Sequence, residues 1–98
     1  MKHTTVYVVR GTAGEYSDRS EWLVCAYEDE VIARLHAEAA RREAQRMHAL
    51  FRKRGFALEV DDLARAWDPQ MKIHHDDTDY TVEPVAVRYG LPDTSPPR

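Results

Sequence analysis

Thr5-Val6-Tyr7-Val8-Val9-Arg10 is a β-branched and aromatic run closed by Gly11 and Gly14, and it reads as a strand. Its apolar side chains fall on both parities, Val6 and Val8 against Tyr7 and Val9, so both faces need cover. Downstream, Gly11 to Ser20 is a polar connection, and Glu21 to Tyr27 (E-W-L-V-C-A-Y) is a second strand, again apolar on both parities. Glu28-Asp29-Glu30 places acids where a helix dipole is positive. From Val31 to Arg54 there is no Gly or Pro, and Gly55 is a C-cap. Ala33, Ala37, Ala40, Ala44, Met47 and Phe51 form one helical stripe, widened by Ile32, Leu35, Ala39 and Leu50. Such a helix is roughly 40 Å long against about 20 Å for a strand of six or seven residues, so its far end overhangs the sheet.

Asp61 or Asp62 caps a short helix through Trp67, stopped by Asp68-Pro69, and Met71-Lys72-Ile73 is a short extended piece. Tyr80 to Tyr89 is a third strand whose apolar parity changes across Pro84. Proline cannot donate to a ladder, which argues for a sheet edge or a bulge there. The expected fold is therefore α+β, β-β-α-β. It has a three-stranded antiparallel sheet in the order 2-1-3, one long helix on one face and a short second helix. Residues 1–90 make the single domain, and 91–98 are a flexible Pro-rich tail. The second face of the sheet must meet either the Phe56–Ile73 segment or another copy, so a homodimer is one of two solutions.

With 98 residues, 43% hydrophobic and 32% charged, the chain suits one ordinary globular domain. No apolar run approaches the roughly 18 residues of a membrane span, no signal-peptide core is present, and no membrane partner is expected. A single cysteine, Cys25, excludes an internal disulfide framework and fits a reducing, cytoplasmic setting. The net charge of −3 conceals an uneven layout. Arg41, Arg42, Arg46, Arg52, Lys53 and Arg54 against Glu43 give +5 in the second half of the long helix. From Glu59 to Arg98, nine acids against four bases give −5.

Val6 to Asp18, Trp22 to Tyr27 and Asp68 to Val85 together carry a resemblance to small phage- and prophage-encoded proteins. It rests on V-Y-V-V-x-G-x-x-G-E-Y-S-D, on W-L-V-C-A-Y with an acidic helix start, and on D-P-Q-M-K-I leading to a closing strand. The chain departs from the pattern in two places: at Glu28, where Ser or Thr is commoner, and at His74-His75, where Asp-Tyr is commoner. The resemblance implies an origin on mobile elements and a β-β-α-β shape. Some small phage proteins inhibit host defence, anti-CRISPR proteins among them, and that implies a host protein as partner.

The residues themselves point to contact surfaces more than to chemistry. Glu15, Tyr16, Ser17 and Asp18 read first as a self-bonded turn and second as a recognition tip. Asp76, Asp77 and Asp79 beside His74-His75 form a solvated acidic loop able to dock on a basic surface. No zinc-like spacing is present, and neither metal nor cofactor is expected. His36 and His48 are too far apart on the helix to share a ligand. Trp22 and Trp67 are expected in the core, with either becoming an interface anchor if exposed. Cys25 reads as a small buried hydrophobe. The expected function is a non-enzymatic accessory protein that binds a host macromolecule through the two acidic loops and the overhanging helix end. The alternative is a small nucleic-acid-binding regulator using Arg41–Arg54. A small metal-dependent enzyme at His74–Asp79 ranks third.

Overall fold

A computed structural model describes residues 3–55 and 57–91, without the side chains of His3 and Tyr16. Strand β1 (His3–Ala13) is followed by a 3₁₀ turn at Tyr16–Asp18 and strand β2 (Ser20–Tyr27). Helix α1 (Glu30–Arg54), helix α2 (Asp62–Trp67) and strand β3 (Asp79–Arg88) complete the order. The sheet is antiparallel in the order β2-β1-β3. The α+β class, the strand order and both helices are those expected from sequence. Phe56 and the Pro-rich tail beyond Leu91 lie outside the described residues.

Three local expectations change. The first strand does not stop at Arg10 but continues through Gly11 to Ala13, because Gly11 is where the Trp22 ring crosses it. A Cβ on Gly11 would stand 2.3 Å from Trp22 Cε2, so only glycine permits that crossing. Pro84 carries no bulge: β1 and β3 keep one register from His3↔Arg88 to Thr12↔Asp79. The edge position of β3 alone accommodates the proline. The bulge lies instead in β2, where Val9↔Cys25 is followed by Arg10↔Leu23 and Val24 is the extra residue. Met71-Lys72-Ile73 is not a strand, although Met71 and Ile73 are buried.

Register assigns the faces. Tyr7, Val9, Gly11 and Ala13 of β1 stand beside Cys25, Trp22, Tyr80 and Val82 on the side covered by α1. The stripe Ala33, Ala37, Ala40, Ala44 and Met47 is buried as expected, and its small residues let the helix approach the sheet closely. Bulk comes from Val9, Met47 and Tyr80, each fully buried. Asp29 caps α1 by accepting from the Val31 and Ile32 N–H groups, and Gly55 N–H donates to Phe51 O at the other end. Cys25 is half-buried rather than fully so, and burial pushes its thiol pKa upward.

The C-terminal part of α1 is covered by the chain's own residues. His48 Nδ1–H donates to Ile73 O at 2.7 Å, and the Phe51 and His74 rings meet edge to face at 4.5 Å. Leu58, Val60, Met71 and Ile73 join the same core. The segment from Ala57 to Ile73 therefore packs on the helix side and not on the other sheet face.

Candidate interaction surfaces

A buried carboxylate organises the helix-side core. Asp68 is fully buried, and its Oδ2 accepts from Trp22 Nε1 at 2.8 Å and Tyr80 Oη at 2.7 Å. Its Oδ1 accepts from the Gln70 backbone N–H at 2.9 Å. The Trp22 and Tyr80 rings meet edge to face with centroids 6.4 Å apart. Burial and the bond to Asp68 push the Tyr80 phenol far above its ordinary range, so it remains a donor. From sequence, Asp68 reads only as a helix stop before proline. Its burial became visible only once Trp22 and Tyr80 were brought together from β2 and β3.

The two predicted acidic loops are neighbours. Gly14, at φ 89° with a Cβ position only 2.4 Å from Asp18 O, turns the chain so that its N–H donates to Asp77 Oδ1 at 3.1 Å. Glu15, Ser17 and Asp18 are exposed around a 3₁₀ turn in which Asp18 N–H donates to Glu15 O; the Tyr16 side chain lies outside the described residues. Asp76 and Asp77 are exposed, with Asp76 beside Gln45, His48, Arg52 and His75 in a cleft of about 200 Å³. Asp79 is not free. Burial works against its charge, but Arg41 and the Tyr80 N–H outweigh it and hold the carboxyl below its usual range.

The basic half of α1 divides. Arg41 donates to Asp79 and to Tyr80 O. Arg46 grips Asp61 through two bonds of 2.9 Å and also pairs with Glu43. Chiefly through Arg46, and through the Ala64 N–H, Asp61 is lowered to about 2. Arg42 pairs across solvent with Glu38. Arg52, Lys53 and Arg54 have no ion-pair partner among the described residues, and they complete the last turn, where the helix dipole favours cations. The +5 segment and the −5 segment thus partly neutralise each other inside one chain.

Trp67 departs from the core expectation. It is 37% exposed, with Leu63, one helical turn before it, 68% exposed. Ala64 is the residue of α2 that is buried. Two anchors set this rotation: Arg46 holds the N-cap Asp61, and Trp22 and Tyr80 draw in Asp68. His36 Nε2–H donates to Trp67 O at 2.7 Å, and the two rings meet edge to face at 4.9 Å. With Nε2 carrying the proton, Nδ1 accepts from Tyr27 Oη at 2.8 Å.

Trp67 also borders a cleft of about 290 Å³ with Ala39, Arg42, Glu43 and Arg46. Ile32 and Leu35 lie on the same flank of α1 as Ala39, by helical spacing, and are 47% and 61% exposed. Sequence reading placed both on the edge of the buried stripe. The spacing of Leu63 and Trp67 in D-L-A-R-A-W was the signal for a second apolar surface.

Among the described residues, no three His, Cys, Asp or Glu side chains are grouped to hold a metal ion. Among the described residues no helix is long and apolar enough to cross a membrane. Comparison with known proteins returns no matching family model, curated protein or solved structure.

Proposed function

We propose that this chain is a non-enzymatic binding protein that docks on another protein through the flank formed by Ile32, Leu35, Leu63 and Trp67. The observation that carries the proposal is Trp67: an aromatic side chain partly exposed among exposed aliphatics, yet held in place by His36. Rigid, partly exposed aromatics of this kind serve as interface anchors, because little conformational entropy is lost when they are covered. Arg34, Arg42 and Arg65 lie on the same two helices, and each is paired with an acid of its own helix. They supply a polar surround without strong net charge. The resemblance to small phage- and prophage-encoded proteins directs the proposal to a host protein, with a defence component as the candidate class.

The nucleic-acid reading is weaker, since Arg41 and Arg46 are engaged with Asp79 and Asp61 and the tip of the basic segment reduces to Arg52, Lys53 and Arg54. The test is capture from host lysate with the wild type, Leu35→Glu and Leu63→Glu, followed by reconstitution with the purified partner. One protein should bind the wild type and lose at least tenfold in affinity to each variant, at unchanged circular dichroism. Equal binding by all three chains would remove this flank from the proposal.

A further inference from the structure

Pro84 fixes the polarity of the β3 edge. In an antiparallel ladder the N–H and C=O groups of successive residues point alternately toward the partner strand and away from it. β1 and β3 keep one register with Pro84 opposite Tyr7, and proline, which has no N–H, takes an outward position. Tyr80, Val82, Ala86 and Arg88 share its parity, so their N–H and C=O groups also turn away from β1. Tyr80 agrees with this: its O accepts from Arg41 Nη2 at 2.6 Å, and its N–H donates to Asp79 Oδ1 at 2.8 Å. Among the described residues, the outward groups of Val82 and Ala86 have no such partner, and Pro84 and Ala86 are exposed.

A helix wall stands beside this edge. Arg34, Ala37, Glu38 and Arg41 of α1 face Tyr80, Thr81 and Val82 across a groove of about 450 Å³. By helical spacing these α1 residues lie on the flank opposite Ile32, Leu35 and Ala39. Arg34 uses Nε and Nη2 on Glu30, and Arg41 uses Nε on Asp79 and Nη2 on Tyr80 O. The Nη1 of each therefore has no acceptor among the described residues, while Glu38 is engaged with Arg42. One wall of the groove is a strand edge, and the other carries guanidinium donors.

We infer that this groove takes an extended segment of another protein, added to β3 as a fourth strand with an acidic side chain turned to α1. An antiparallel addition pairs one of its residues with the N–H and C=O of Val82 and another with those of Ala86. The residue between them donates to Pro84 O. Residues paired in this way project their side chains to the same face as Val82, the α1 side, where a carboxylate meets Arg34 or Arg41. A second β3 is a poorer occupant, because its own Pro84 has no N–H to give. Residues 92–98 are poorer still, since Pro92, Pro96 and Pro97 all lack that donor. The groove is separate from the Trp67 flank, which stays open when the groove is filled.

Amide hydrogen exchange of the full chain, free and with peptides selected from a displayed library of random sequences, tests the inference. In the free chain the Glu83 and Val85 N–H groups, turned to β1, should be protected, and those of Val82 and Ala86 should exchange freely. Selected peptides should carry Asp or Glu and should protect Val82 and Ala86 on binding. Ala86→Pro removes an outward N–H and leaves the β1 ladder intact, so it should weaken a selected peptide by about tenfold or more at unchanged circular dichroism. Arg34→Gln is the second variant if Ala86→Pro does not fold, with an expected loss of about threefold or more. Leu35→Glu, on the opposite flank, should bind the peptide like the wild type. Protection of Val82 and Ala86 in the free chain would show the edge already taken and overturn the inference. So would a library that yields no binder, peptides that leave Val82 and Ala86 unprotected, or a folded Ala86→Pro or Arg34→Gln chain that binds like the wild type. None of these outcomes bears on capture of a protein by the Trp67 flank, so the two readings fail separately.

Discussion

The two faces of β1 start from nearly the same residues and end in different surroundings. Tyr7 and Val9 face α1, and Val9 is fully buried among the alanines of the helix stripe and Tyr80. Val6 and Val8, one residue along, remain half-buried on the open face. The difference lies in what the rest of the chain supplies. On the helix side, Gly11 makes room for Trp22, and Asp68 then joins Trp22 to Tyr80. On the open side, the long-range side-chain links among the described residues include the Arg10–Glu83 pair, partly exposed and worth little to stability, and the Tyr89 O–H donating to Thr4 Oγ1. One face is a core; the other is a surface on which valines stand beside charged and hydroxyl side chains.

That contrast can be broken most severely at Gly11. Gly11→Val should displace the Trp22 ring and open the Asp68 cluster, costing about 3 kcal/mol or more in urea unfolding. A variant as stable as the wild type would mean that the ring does not need the space.

A smaller loss is expected from Asp68→Ala. It leaves the Trp22 N–H and the Tyr80 O–H without their acceptor in a buried site, at a cost of about 2–4 kcal/mol by the same measurement. A loss under about 0.5 kcal/mol would show that those donors are satisfied elsewhere. The smallest effect belongs to the open face. Val85→Thr should change monomer stability at low concentration by less than about 0.5 kcal/mol, because the side chain is already exposed. A large loss there would mean that the face is covered within the monomer, sharpening the contrast in the opposite sense.

Much of the architecture was legible from local signals. The alternation and β-branching of Thr5–Arg10, the Ala33-to-Met47 stripe and the Asp29 cap each act within a few residues, and each produces the element expected of it. The limits of β1 were less legible, since Gly11 is a strand breaker by propensity. It stays in the strand only because Trp22, eleven residues later, needs the space. The parity change at Pro84 was legible as a fact but not in its meaning: the register is unbroken, and the valines beyond it belong to the open face.

The candidate surfaces were legible in part. The Gly14–Asp18 and Asp76–Asp79 segments are distinctive in composition, but their adjacency depends on the Gly14 N–H reaching Asp77, and Asp79 is taken up by Arg41. The Trp67 flank was the least visible. A short helix containing Leu63, Ala64 and Trp67 would ordinarily turn its large apolar side chains inward.

By itself, then, the sequence determined the order of elements, the antiparallel β2-β1-β3 sheet and the buried face of α1, because periodicity and capping act over a few residues. Tertiary structure decided which apolar residues stay outside. Arg46 on Asp61, and Trp22 with Tyr80 on Asp68, set the rotation of α2 from its two ends, and satisfying those polar groups took precedence over burying Leu63 and Trp67.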